Sequence, residues 1–167
     1  MKTYIWKMKN SELDNTNLSL YLKFIRQNYK LDIEKDFNEI WKWSINNSQD
    51  FWKSIWDFTK VKGNLGNTII EKSNIFFKNK FFPDSSLNYA ENLLKKNNTE
   101  PAIIFKSENG FKIRLSWENL NFKVLALSEW LKFSDVKKGD RVVAYLPNIP
   151  ETVIAYISTS VLGAIWS

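Results

Sequence analysis

Lys137, Lys138 and Arg141 stand close together just ahead of a strand-like run, where a set of cations could meet one anion. A polar turn of this composition is more often solvated than anion-binding, and solvation is the favoured reading. Asp32, Glu34, Asp36 and Glu39 form the densest acidic group. Paired carboxylates could do acid-base work or hold a metal, but this spacing fits the solvated entry to a helix better. The glycines are Gly63, Gly66, Gly110, Gly139 and Gly163, and they form neither GxGxxG nor GxxxxGK, so no phosphate cradle is expected. Cys and His are absent. That excludes disulfides, thiolate nucleophiles, Ser-His triads and Cys/His zinc sites from these residues. Residue types and spacing thus assign no catalytic, cofactor-binding or metal-ligating position.

Aromatics interleaved with Lys42, Lys53 and Lys60 could stack on bases beside phosphate contacts. The aromatics nevertheless recur at helical core spacing, so a core or docking surface is the better reading, with the lysines on the solvent face. The chain has 167 residues, 44% hydrophobic and 25% charged, as in an ordinary globular protein, and its net charge is +6. That charge is spread through both halves, and Asn, Ile, Lys and Phe are the residues that an AT-rich coding bias favours. Nucleic acid is therefore not an expected partner. Residues 1–15 lack an apolar signal core, and the uncharged run from Thr152 to Ser167 falls short of a membrane span. No membrane partner is expected, and with no cysteine a cytoplasmic location is.

Helices must position most of these residues. Thr16 and Asn17 are good caps for a helix ending near Tyr29, with Leu18, Tyr21, Leu22 and Ile25 on one face. A second helix from Asp36 aligns Phe37, Ile40, Trp41 and Ile45, and Ser48 is placed to cap a third, with Phe51, Trp52, Ile55 and Trp56 as its stripe. Residues 69–80 are ambiguous between strand and irregular structure. Asn88 caps a short helix with Tyr89 and Leu93 on one side, and Leu87 is placed to staple onto it. Ala102–Lys106 and Phe111–Leu115 flank Asn109-Gly110, the signature of a hairpin with a type I′ turn. Ser116 caps the next helix, whose core face is Leu120, Val124, Leu127 and Leu131. Arg141–Leu146 reads as a strand, Pro150 opens a helix that Gly163 closes, and another strand begins at Ala164. Strand, helix, strand is a βαβ unit. A parallel sheet ending at its second strand leaves apolar surface bare, so the chain reads as the front part of a larger protein.

The run from Val136 to Ser167 contains KGDRV, LPNIPE and LGAIWS, and it resembles the adenylate-forming acyl-CoA synthetases. Upstream, WKWSI at Trp41–Ile45, DFWKSIWDF at Asp50–Phe58, and FFPDSSL followed by NYAENLL are similar to the acetoacetate-activating branch of that family. In the acetate and propionate branches a different stretch is expected at NYAENLL, and a His where Trp166 stands. The resemblance implies an α/β fold: an N-terminal helical cap, then a β-hairpin and the first βαβ unit of a doubly wound large domain. It implies a helical extension over 1–35, a synthetase-type cap region over 36–94 and the start of the ligase domain over 95–167. ATP, CoA and Mg²⁺ are implied for a full-length enzyme, with acetoacetate or a similar short acid as substrate and the remainder of the synthetase domain as partner. The family's phosphate loop, ribose-binding Asp, metal-linked Glu and catalytic Lys have no match before Ser167, so the chain alone is expected to be inactive. The competing expectations are part of an acetyl- or propionyl-CoA synthetase, or a non-catalytic Trp-rich binding module.

Overall fold

The Thr16 hydroxyl accepts the Ser19 N–H at 3.2 Å, filling one of the orphan donors that every helix N-terminus carries. From there helix α2 (Asn17–Tyr29) runs as the capping signal predicts, after a single turn, α1 (Asn10–Leu13). The computed structural model describes residues 9–31, 33 and 37–167. Helices α3 (Phe37–Asn46) and α4 (Ser48–Phe58) follow. Two short strands, β1 (Ile70–Glu71) and β2 (Lys80–Phe81), pair antiparallel across a 3-10 turn at Phe76–Lys78, which resolves the ambiguous stretch. The chain divides into two compact units, residues 1–61 with 65–85, and residues 62–64 with 86–167.

The first unit packs around Tyr21, Leu22, Ile25, Ile40 and Trp43. Leu18, expected in this core, is about half exposed, and the small Ser19 is buried instead, its hydroxyl donating to the Leu13 carbonyl. On α3 the buried aromatic is Trp43, while Phe37, Trp41 and Ile45 face outward. That helix is apolar over more than half its circumference, so periodicity leaves several faces open and packing chooses among them. Trp43 is chosen because it meets Phe51 at 5.7 Å and Tyr29 at 6.4 Å, both edge-on. Ser48 is not the cap of α4. The Asn47 N–H still bonds to the Trp43 carbonyl, so α3 runs almost directly into α4 and Ser48 lies one position inside it.

In the second unit α5 (Tyr89–Leu93) precedes a hairpin of β3 (Pro101–Lys106) and β4 (Lys112–Ser116). Its turn differs from the type I′ expectation. The Ser107 N–H pairs with the Phe111 carbonyl and the Gly110 N–H with that of Ser107, while only Gly110 has a positive φ, of 87°. This is a three-residue loop with glycine in the left-handed position, which matches strand twist without asking Asn109 to adopt positive φ. Ser116 caps α6 (Trp117–Phe133) by accepting the Asn119 N–H. Strand β5 (Arg141–Val142), helix α7 (Pro150–Val161) and strand β6 (Ile165–Trp166) complete a parallel βαβ unit. Beta-5 is shorter than the Arg141–Leu146 expectation because a ladder lasts only as long as its partner, and its final step is the Ala144 N–H to the Ser167 carbonyl.

The core of this unit joins Ala90, Leu115, Leu120, Val124, Ile154 and Ile157. Alpha-5 contributes Ala90, whereas Tyr89 and Leu87 are about half exposed. Alpha-6 and α7 meet through small residues, and the buried Ser158 hydroxyl lies 3.1 Å from the Val124 carbonyl of α6 and 2.7 Å from the Ile154 carbonyl of its own helix. No helix among the described residues is long and apolar enough to cross a membrane.

Candidate functional site

In an open parallel sheet the place for a ligand is the crevice beyond the carboxyl ends of the strands. Here that edge is built by the segment after β5, Tyr145–Ile149, and by the first turn of α7. The Ile149 N–H bonds to the Pro147 carbonyl at 2.9 Å, and the Thr152 hydroxyl donates to that carbonyl at 2.7 Å. Pro150 occupies the first turn of α7, where its missing N–H costs nothing. Glu151 stands in the same turn, so the helix end already faces a carboxylate. The polar groups at this edge are the Thr152 hydroxyl, spent on the Pro147 carbonyl, and the Glu151 carboxylate.

The basic residues before β5 lie at the opposite end of the strand and do not converge. Lys137 Nζ pairs with an Asp135 carboxylate oxygen at 2.8 Å, and its backbone N–H donates to Asp140 Oδ2 at 2.7 Å. The stem of Lys138 lies over Gly163, so close that a Cβ there would sit 3.2 Å from Lys138 Cγ. Arg141 is exposed at the start of β5. The turn is thus closed on itself by Asp135 and Asp140, consistent with the solvated reading.

An open groove of about 840 Å³ runs between α5 and α6. Its apolar lining includes Leu94, Phe122 and Leu125, and its polar lining includes Asn88, Glu91, Glu118 and Asn121. Much of the polar lining's hydrogen-bonding capacity is spent internally. Asn88 Oδ1 accepts the Glu91 N–H while Nδ2 donates to the Ser160 and Val161 carbonyls at 3.0 Å each, and Asn121 Nδ2 donates to the Lys96 carbonyl at 2.6 Å. The capping role of Asn88 is legible in the sequence; its bond to the end of α7 joins residues 72 positions apart and carries no local signal.

In the first unit, Tyr29, Lys53 and Asp57 border a cavity of about 410 Å³ with Phe24 and Asn28. Asp57 Oδ2 accepts from Lys53 Nζ at 2.7 Å and from the Tyr29 hydroxyl at 3.2 Å. The hydrogen bond to Asp57 raises the Lys53 pKa, which keeps it an ammonium rather than a nucleophile. Burial raises that of Tyr29, and Lys53 opposes the rise. Lys53 is therefore partly buried and paired, not free on the solvent face as the aromatic-lysine pattern suggests. Deeper in, the Tyr21 hydroxyl and Ser54 Oγ meet at 2.6 Å, a pair that sequence spacing does not reveal.

Of the acidic group, Asp32, Glu34 and Asp36 lie outside the described residues, and Glu39 stands in the first turn of α3. Among the described residues no group of His, Cys, Asp or Glu is arranged to hold a metal ion. Nor do the glycines fit a triphosphate: an added Cβ on Gly63 or Gly66 would collide with Ser86 and Leu87 or with Asp84, while Gly110 and Gly163 serve a turn and a helix end. Among the described residues, the carboxylates and these glycines do not fit ATP or Mg²⁺.

Residues 90–167 match the family described as AMP-binding enzyme. The chain is 36% identical over 132 residues to acetoacetyl-coenzyme A synthetase of Rhizobium meliloti (strain 1021), a match that takes in 79% of this chain and 20% of that protein. It is 32% identical over 136 residues to acetoacetyl-CoA synthetase of Mus musculus, again 79% of this chain and 20% of the relative. Among solved structures, acetoacetyl-CoA synthetase from Streptomyces lividans superposes with a TM-score of 0.85 at 24% sequence identity, covering 99% of this chain and 26% of that one, a likeness of fold. The expected α/β arrangement of helical region, hairpin and opening βαβ unit is thus that of an acyl-CoA synthetase. Residues 90–167 thus resemble the AMP-binding enzymes and most of the chain resembles the acetoacetyl-CoA synthetases, and the chain spans about a fifth of the length of the curated relatives that it matches.

Proposed function

We propose that this chain is the scaffold opening an ATP-dependent acid-CoA ligase, and that the complete ligase acts on acetoacetate. In the reaction, acetoacetate and ATP form an acyl-adenylate with release of pyrophosphate; the CoA thiol then attacks the acyl carbon and AMP leaves, giving acetoacetyl-CoA. The 36% identity over 132 residues to an acetoacetyl-coenzyme A synthetase is the observation that carries this reading. ATP, CoA and Mg²⁺ would be held by residues outside this chain. Within it, residues 1–35 serve as a helical extension, 36–94 as the cap region and 95–167 as the start of the ligase domain, working in the cytoplasm without nucleic acid. A Trp-rich binding module is the second reading; Trp41 and Trp52 are exposed, but Trp43 is spent on the core.

Pyrophosphate exchange tests the proposal, using a protein that continues past Ser167, with acetoacetate, acetate and propionate in parallel. Acetoacetate is expected to support exchange at least about tenfold faster than either, a discrimination of about 1.4 kcal/mol. The present chain alone is expected to show none. Preference for acetate or propionate would move the assignment to those branches, and absence of exchange with every acid would remove the ligase reading.

A further inference from the structure

Residues 62–64 belong to the second unit, although Val61 and Leu65 on either side belong to the first. The Asn92 side chain of α5 holds this stretch as a neighbouring strand would. Its Oδ1 accepts the Lys62 N–H and its Nδ2 donates to the Lys62 carbonyl, at 2.8 Å each. Two residues on, the grip passes to the backbone: the Asn64 N–H donates to the Ser86 carbonyl at 2.8 Å, and the Ser86 N–H to the Asn64 carbonyl at 3.0 Å. Between these points Gly63, at φ 154°, lies so close to the next segment that a Cβ would stand 2.6 Å from the Ser86 oxygen and 2.7 Å from Leu87 Cβ. Glycine alone passes there without pushing the stretch off its seat.

Asn92 is a fixed anchor. Its Nδ2 also donates to the Asn88 carbonyl at 3.0 Å, so both amide hydrogens are used, and α5 itself is seated by the fully buried Ala90. Lys62, Gly63 and Asn64 are exposed, and none brings an apolar side chain to the core. A segment held by solvent-exposed hydrogen bonds without apolar burial opens well before the core does. We infer that residues 62–64 are a strap latched by Asn92, which opens locally while α5, α6 and α7 stay folded. Lys62 lines the groove between α5 and α6 and is the one basic residue among its described lining, beside Glu91 and Glu118. An open strap therefore takes away a wall of that groove together with its cation. Neither strap nor latch depends on which acid the complete ligase activates.

Amide hydrogen exchange in the 167-residue chain, read residue by residue by NMR, tests the latch through Asn92→Ala and Gly63→Ala. Asn121→Ala is the control, since it removes a comparable side-chain bond, that to the Lys96 carbonyl. The Asn64 amide is the decisive reporter, because its own partner, the Ser86 carbonyl, is untouched by Asn92→Ala. That variant is expected to speed exchange at Lys62 and Asn64 about tenfold or more, while amides within α6 and α7 stay within about twofold of the wild type. Trypsin cleavage after Lys62 should quicken in step. Gly63→Ala should speed the same two amides by crowding Ser86 and Leu87, and Asn121→Ala should leave them unchanged. Unchanged exchange at Asn64 in Asn92→Ala would overturn the latch. So would an equal acceleration throughout α6 and α7, which would make Asn92 a support of the whole unit, or the same acceleration at Asn64 in Asn121→Ala.

Discussion

Asn88 works at two places at once. Its Oδ1 caps α5 through the Glu91 N–H, and its Nδ2 satisfies the Ser160 and Val161 carbonyls at the end of α7. Asn88→Ala removes both functions and is expected to cost about 2 kcal/mol, from a lost cap and two carbonyls left to weaker partners. Asn88→Asp keeps the cap but sets a carboxylate against those carbonyls, so it should not restore stability; urea melts of the two variants check this. If Asn88→Asp melts like the wild type, the bonds to α7 carry no energy. The cap itself was readable, because Asn88 precedes a helical pattern with an acidic residue in its first turn. The bonds to α7 were not, nor the Tyr21–Ser54 and Ser158–Val124 contacts, since each depends on elements brought together from distant parts of the chain.

Helix ends show how an element's sequence decides its fate. Alpha-7 closes with Gly163 at φ 68°, the Gly163 N–H on the Ser160 carbonyl and the Ala164 N–H on that of Thr159, a paired closure that needs a left-handed residue. Alpha-6 closes in the same way on Asp135 at φ 67°, with its N–H on the Lys132 carbonyl and that of Val136 on Leu131. Gly163→Ala is expected to lower stability by about 1 kcal/mol or more, because strain adds to the crowding of Lys138. Gly110→Ala, with the same strain but open space around it, should cost less. Asp135→Gly should instead gain about 0.5–1 kcal/mol, since the exposed pair with Lys137 that it gives up is worth little. Thermal melts of the three variants test the order, and a destabilised Asp135→Gly would show that the ion pair outweighs the strain. Most element positions could be read in this way from caps, glycines and prolines. Which apolar face of α3 is buried could not, because its periodicity allowed several and only the Trp43 contacts chose one.

Across the whole molecule, one buried and two half-buried phenols bear on alkaline stability. Burial raises the pKa of Tyr21, Tyr29 and Tyr156 above the ordinary 10.0, so the folded chain holds these protons more tightly than the unfolded chain does. The sign is then definite: their stabilising contribution is complete below pH 10.0 and is lost as pH rises through the folded values. Lys53, raised by its bond to Asp57, acts in the same direction above 10.5. Melting temperature should therefore fall above pH 10, more shallowly in Tyr21→Phe than in the wild type; an equally steep fall would remove Tyr21 from the account. The sequence by itself determined the local elements, the βαβ order, the family resemblance and the lack of Cys/His chemistry, because capping, periodicity and residue type act over a few neighbouring positions. Only the tertiary structure decided which faces pack and how Asn88 and Ser158 join their helices. Those outcomes depend on which distant surfaces meet, and burial is a property of both surfaces together.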